Sequence, residues 1–280
     1  MTGDVTGWPA VAGERGGLGS GVVPGSHDDA VREQFRIQAA TFDDQGFATA
    51  NLDWIVPQLA PAATDQVLDV AAGAAHLGRA LAPHVAHVSA LDLTPEMLAQ
   101  GQRLAARAGL RNIAFQLGDA AALPWLDGQF DLVTCRLAMH QVADPAAVVR
   151  EMVRVTRQDG RIAIIDMTAD DDPVLAAEAN RLERLRDPSH GRTLTAGEIH
   201  ALLAEAGAGV TATLYRDRRL DLDDWMNRTQ TPPGARDAIR ERIGRELAGG
   251  EPTGLRPDRG AGGAVGISHI WAAVTAAPRS

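Results

Sequence analysis

The chain has no lysine: all 27 of its basic residues are arginine. A Schiff-base lysine, a pyridoxal-phosphate lysine and the lysine of a phosphate-binding P-loop each need a primary amine, so those enzyme classes are excluded. Cys135 is the single cysteine, which excludes an intrachain disulfide and a multi-cysteine zinc site; a reducing compartment is the simpler reading. No stretch reaches about 18 consecutive apolar residues. Residues 1–26 also lack the positive start and apolar run of a secretory signal, so a cytoplasmic protein with no membrane partner is expected. Basic residues are outnumbered by 36 acidic ones, for a net charge of −9. That balance opposes a phosphate backbone, and no local basic stripe offsets it, so no nucleic-acid partner is expected.

The 280 residues, 45% hydrophobic and 22% charged, suffice for one large globular domain or a domain with a cap. Glycines crowd residues 1–26, where too little apolar surface could be buried to offset ordering, so this segment reads as a flexible tail. A leading helix is expected from Asp28 through Val31, Phe35 and Ile37. Short apolar segments follow at Val67–Ala71, Val88–Asp92, Ile113–Leu117, Phe130–Thr134 and Ile162–Ile165, several of them rich in β-branched residues. Helix signals lie between them. Thr94-Pro95 and Asp144-Pro145 each place a capping side chain before proline at the first helical position, with Gly109 and Gly160 as the expected stops. This alternation predicts an α/β fold with a doubly wound parallel sheet, whose ligands bind at the carboxyl ends of the strands. Asp172-Pro173 opens a further helix, Thr195 and Glu198 form a capping box, and Ile239, Ile243 and Leu247 mark a late helix. Val210–Leu220 and Ala264–Ala273 read as two last strands.

The informative stretch is Val67-Leu68-Asp69-Val70-Ala71-Ala72-Gly73-Ala74-Ala75-His76, a strand running into small residues and then a helix. Small residues let backbone approach a ligand. Asp92 ends the next strand, where a carboxylate can accept both ribose hydroxyls of an adenosine, and Asp119 ends the third. A single aspartate is more often a cap or a solvated loop residue. Carboxylates at successive strand ends favour a site.

These stretches, with Ala90-Leu91-Asp92-Leu93-Thr94-Pro95-Glu96-Met97-Leu98, Gly118-Asp119-Ala120-Ala121-Ala122-Leu123-Pro124-Trp125, Phe130-Asp131-Leu132-Val133 and Gly160-Arg161, resemble a class I S-adenosylmethionine-dependent methyltransferase of the ubiquinone/menaquinone-biosynthesis-like group. The resemblance covers residues 66–168. It implies a Rossmann-like seven-stranded sheet of order 3-2-1-4-5-7-6 with a helical cap, and S-adenosyl-L-methionine as cofactor. It divides the chain into the tail, a cofactor-binding core with its leading helix at 27–170, and substrate-cap segments plus the last two strands at 171–280. The implied cofactor contacts are Asp69, Ala71 and Gly73 after the first strand, Asp92 on ribose with Leu93 and Met97, Asp119 with Ala120 on adenine, and Arg136. Phe35 and Phe42 resemble the helix that closes over the cofactor. The family usually has glycine two residues after Gly73, where this chain has Ala75; a methyl group is expected to crowd the cofactor there.

Methyl transfer needs alignment of the nucleophile and, for a neutral acceptor, a base. His140, just past the fourth strand, is the candidate base; the plainer reading is a histidine bonded to backbone or cofactor. His190, Trp225 and His269 are candidate substrate contacts, although each more often serves the core. No clustered carboxylates mark a metal, and none is expected. The expected activity is O- or N-methylation of a small molecule, a specialised metabolite of the antibiotic-biosynthesis kind or a quinone-like compound. Two alternatives stand beside it: a methyltransferase-fold enzyme catalysing cyclisation, elimination or hydrolysis, which Ala75 favours, and a non-enzymatic small-molecule binding protein. The partner is a small-molecule substrate, and a homodimer stays open.

Overall fold

Val67, Leu68 and Val70 have no exposed surface, and their side chains point alternately to opposite sides of strand β1 (Gln66–Val70). Leu68 and Val70 join Val133, Ile162 and Ile164 in one apolar cluster, and Val67 joins Leu132, Ala163 and Ile165 in another. A strand sealed on both faces reads as a continuous apolar run, which is why the central strands were legible. The computed structural model describes residues 27–38, 49 and 51–279. The expected tail at 1–26 and Phe42 lie outside the described residues.

The strands are β1, β2 (His87–Asp92), β3 (Ile113–Leu117), β4 (Phe130–Arg136), β5 (Thr156–Thr168), β6 (Ala208–Asp221), β7 (Asp258–Arg259) and β8 (Val265–Pro278). They form one sheet of order β3-β2-β1-β4-β5-β8-β6. The first five run parallel, and β8 enters antiparallel between β5 and β6. The seven long strands keep the expected arrangement. The difference is the two-residue β7, which pairs with the start of β8 and raises the count to eight among the described residues.

The helices are α1 (His27–Gln38), α2 (Leu52–Gln58), α3 (His76–Leu81), α4 (Pro95–Arg107), α5 (Pro145–Val155), α6 (Pro173–Arg186), α7 (Ala196–Glu205), α8 (Leu222–Arg228) and α9 (Pro233–Leu247). Helices α5 and α7 seal one face of the sheet through Val148, Met152, Ile199 and Leu203; α2 and α3 seal the other through Ile55, Leu77 and Leu81. A third cluster, holding Leu182, Trp225, Ile239, Ile243, Leu255 and Ile267, gives the cap a core of its own. Gln34 of α1 donates to the Thr229 carbonyl just past α8, so α1 lies between core and cap. Among the described residues no helix is long and apolar enough to cross a membrane.

Two cap expectations need correction. Thr94 adopts the extended backbone of a cap, but its side chain makes no cap hydrogen bond and instead bonds Asp92. Helix α5 ends at Val155, before Gly160, because the Thr156 hydroxyl takes the Met152 carbonyl at 2.6 Å and the chain turns directly into β5. Gly160 lies inside that strand, where a Cβ would sit 2.9 Å from the Arg157 carbonyl. By contrast, Asp144, Asp172 and the Thr195–Glu198 box cap their helices as expected.

Candidate functional site

A cavity of about 830 Å³ opens where the carboxyl ends of β1, β2 and β4 face α1 and the cap. Its floor is the loop after β1, in which Ala71, Gly73 and Ala75 all have left-handed backbone. The Gly73 N–H donates to Asp92 Oδ2 at 2.7 Å, and the Thr94 N–H donates to Oδ1 at 2.8 Å. Burial raises the Asp92 carboxyl above its ordinary range, against the pull of those N–H groups. Asp92 also accepts from the Thr94 hydroxyl, and the residue lines the cavity. Asp119 is exposed on the same wall; its Oδ1 accepts from the Ala121 N–H, which fixes the turn beside the buried Ala120. Phe35, Leu93 and Ala71 also line the cavity.

Ala75 does not crowd this space. It is fully buried and absent from the cavity wall, and it holds the αL conformation that caps α3. The family's glycine there answers a backbone requirement, because αL costs an L-residue about 1–2 kcal/mol. The expectation that its methyl meets the cofactor is therefore corrected.

Beneath the loop, Asp69 accepts from the Gly78 N–H at 2.9 Å and the Thr134 hydroxyl at 3.0 Å. Burial pushes its carboxyl up to about 6, and these two donors oppose the rise. Arg136, at the end of β4, lies over the Trp271 ring at 5.5 Å. Burial lowers its pKa to about 10, against the attraction of Asp69 and Asp166. A cation thus stands beside the β1 loop.

His140 follows β4 across Leu137, itself at φ 54°. Its Nδ1 lies 2.7 Å from Asp166 Oδ1, and its backbone N–H donates to Oδ2 at 3.3 Å. The Met167 N–H also donates to Oδ1. The ring lines the cavity, and among the described residues no group bonds its Nε2. Burial alone would lower its pKa, but Asp166, aided by Glu183, outweighs that and raises it above the ordinary imidazole value. Asp166 was missed in the sequence, although it ends the run Ile162–Ile165 just as Asp92 ends its own strand.

Trp225 and His269 line the cap end of the cavity. His190 does not. It stacks behind His140 at 5.7 Å, bonds Asn180 Oδ1 at 2.9 Å, and burial lowers its pKa to about 3. Met97 is also off the cavity wall, fully buried on the inner face of α4. No linear pattern anticipates Arg186, Arg218 and Arg228, which reach the cavity from three separate elements. Among the described residues no group of three or more His, Cys, Asp or Glu could hold a metal ion.

A parallel sheet closed by an antiparallel strand slipped between β5 and β6 is the Rossmann-like methyltransferase fold. The chain belongs to the methyltransferase-domain family, whose model matches residues 62–207. It is 38% identical over 170 residues to the uncharacterized methyltransferase YcgJ of Bacillus subtilis, covering 61% of this chain and 67% of that one. The crystal structure of YcgJ superposes with a TM-score of 0.74 at 30% identity, over 82% of this chain and 98% of that one. BH2331 of Bacillus halodurans C-125 gives a TM-score of 0.76 at 26% identity, over 82% of this chain and all of that one (100%). The demethylmenaquinone methyltransferase of Mycolicibacterium vanbaalenii is 38% identical over 119 residues, 42% of this chain and 48% of that enzyme.

Proposed function

We propose that the chain is an S-adenosylmethionine-dependent methyltransferase that methylates an oxygen or nitrogen of a small molecule, with His140 as general base. The observation that carries this reading is His140, on the wall of the cavity that also holds Asp92 and the Gly73 loop, backed by the buried Asp166 carboxylate. Asp92 would hold the ribose, Asp119 and Ala120 the adenine, and Ala71 to Gly73 the methionine portion, with Arg136 as the nearby cation. When bound, S-adenosylmethionine supplies an electrophilic methyl group.

What the chain itself contributes is alignment and a proton acceptor. Asp166 takes the Nδ1–H, which leaves Nε2 as the basic nitrogen facing the acceptor. Trp225 and His269 line the acceptor's side, and α1 with the cap limits access of water. A positioned base contributes about a hundredfold to ten-thousandfold in rate. Ala75, buried away from the cavity, gives no support to a non-methylating reaction. A specialised or quinone-like metabolite remains the proposed acceptor; the demethylmenaquinone relative matches less than half its own length.

The test is mass spectrometry on a panel of hydroxyl- and amine-bearing metabolites incubated with protein and S-adenosylmethionine. Formation of S-adenosylhomocysteine together with a methylated product, strongly reduced by His140→Ala at unchanged cofactor affinity, is expected. Equal turnover by His140→Ala would remove the histidine from the chemistry.

A further inference from the structure

Three arginines converge at the cap end of the cavity. Arg186 comes from the last turn of α6, Arg218 from β6 and Arg228 from the last turn of α8, and all three line the cavity. Among the described residues Arg218 has no ion pair or hydrogen bond, and its Nε is buried without a partner. Arg186 lies over Trp225 at 5.0 Å, with Nε 3.2 Å from Glu183 Oε2. Glu183 is fully buried and shared: His269 Nε2 approaches its other oxygen at 3.1 Å. The remaining acids are committed or peripheral. Asp187 accepts from the Ser189 N–H and hydroxyl and stands 3.9 Å from Arg186, Asp221 caps α8, and Asp224 is exposed. Burial lowers the pKa of Arg228 to about 10; Arg186 and Arg218 press it further in that direction, and Glu183 and Asp224 oppose them.

Adjacent Arg219 shows what a structural arginine of β6 looks like: its guanidinium is forked onto Asp258 at 2.7–2.9 Å. Arg218 has no such anchor. Guanidiniums that converge on a partly desolvated wall repel one another unless an anion joins them, and their planar forks match carboxylate and phosphate oxygens. The cofactor end of the cavity already has its own cation in Arg136, which feels Asp69 and Asp166.

Resting on the methyltransferase reading, we propose that Arg218, with Arg186 and Arg228, forms an anion subsite that binds a carboxylate or phosphate group carried by the acceptor. The acceptor is then an acidic small molecule, anchored at the cap while its nucleophile faces His140.

Calorimetry on the full chain tests this with inorganic phosphate, benzoate and neutral benzamide as probes, each titrated into wild type, Arg218→Gln and Arg218→Lys. Saturable binding of phosphate or benzoate but not benzamide is expected, and the tighter of the two anions names the group. Arg218→Gln should weaken that anion at least tenfold and Arg218→Lys less, with S-adenosylmethionine affinity within twofold of wild type. Failure of both anions to saturate, benzamide binding as well as benzoate, or unchanged anion affinity in Arg218→Gln would overturn the subsite. A parallel tenfold loss of S-adenosylmethionine affinity would overturn it too, by assigning the guanidiniums to the cofactor. Selective anion binding by a wild type that does not bind S-adenosylmethionine would keep the subsite and defeat the methyltransferase reading instead.

Discussion

Burial sets the energetics of Asp69. Its carboxyl is lifted to about 6 by burial, roughly two units above the ordinary value, so its ionised form costs the folded chain about 3 kcal/mol at most near neutrality. The folded protein binds a proton there that the unfolded chain releases, so stability falls as pH rises from about 4 to about 6. Asp69→Asn keeps a carbonyl for the Gly78 N–H, and its amide can face the Thr134 hydroxyl, which can donate onward to the Leu68 carbonyl. Urea unfolding should show the Asn variant more stable than wild type at neutral pH and level with it near pH 4; lower stability at neutral pH would contradict the desolvation penalty. His140 titrates in the opposite functional sense. Its raised pKa means the neutral base is lost on acidification already above the ordinary imidazole range, so turnover should fall with decreasing pH there. Asp166→Asn removes the attraction that outweighs burial, so the acidic limb should shift to lower pH while the maximum rate drops. An unmoved limb would assign it to another group. At this scale the strand-end pattern made Gly73, Asp92, Asp119 and His140 legible. Asp166 follows the apolar run Ile162–Ile165 in the same way, but a carboxylate after a buried run does not by itself reveal that it faces an imidazole 26 residues away. Met97 was misplaced because one helical face serves both core and cavity rim, and periodicity does not separate them.

Gly101 shows how an element is positioned by what it lacks. A Cβ there would lie 2.6 Å from Phe115 Cε1 and 3.0 Å from the Ala74 carbonyl, so α4 can press against the β1 loop only with glycine at this point. Gly101→Ala gains about 1 kcal/mol of helix propensity and loses about 1–3 kcal/mol to overpacking. Net destabilisation, with weaker cofactor affinity because Leu93 and the loop move with α4, is expected from urea unfolding and calorimetry. A more stable variant would mean that Phe115 alone yields. The same local packing explains which elements could be read in advance. Strands sealed on both faces announce themselves as continuous apolar runs, and helices opened by Asp-Pro or Thr-Pro do so over ten or more residues. Helix α2 contains Pro57, α8 has seven residues and β7 has two, and none carries a period long enough to be seen. Gly160 was read as a helix stop because glycine marks both a chain turn and a close backbone approach; only the sheet geometry distinguishes them.

Across the whole molecule, a net charge of −9 coexists with a cavity whose cap end is arginine-rich, a convergence no linear pattern displays because its residues come from three distant elements. The cap has its own apolar cluster, so it should be separable energetically from the cofactor half. Ile243, fully buried there, tests this: Ile243→Ala should cost about 2–4 kcal/mol in unfolding and weaken anion binding while leaving cofactor affinity within about threefold. Loss of both affinities together would show that core and cap act as one unit. The decisive measurement is a calorimetric titration of S-adenosylmethionine into wild type and Asp92→Ala. Asp92 ties the Gly73 and Thr94 N–H groups and lines the cavity, so its loss would remove charge-assisted bonds worth about 2–3 kcal/mol. Saturable one-site binding by wild type, weakened about 30-fold or more in the variant, is the predicted result. Absence of binding to wild type, or equal affinity in Asp92→Ala, would contradict a cofactor seated on the β1 loop.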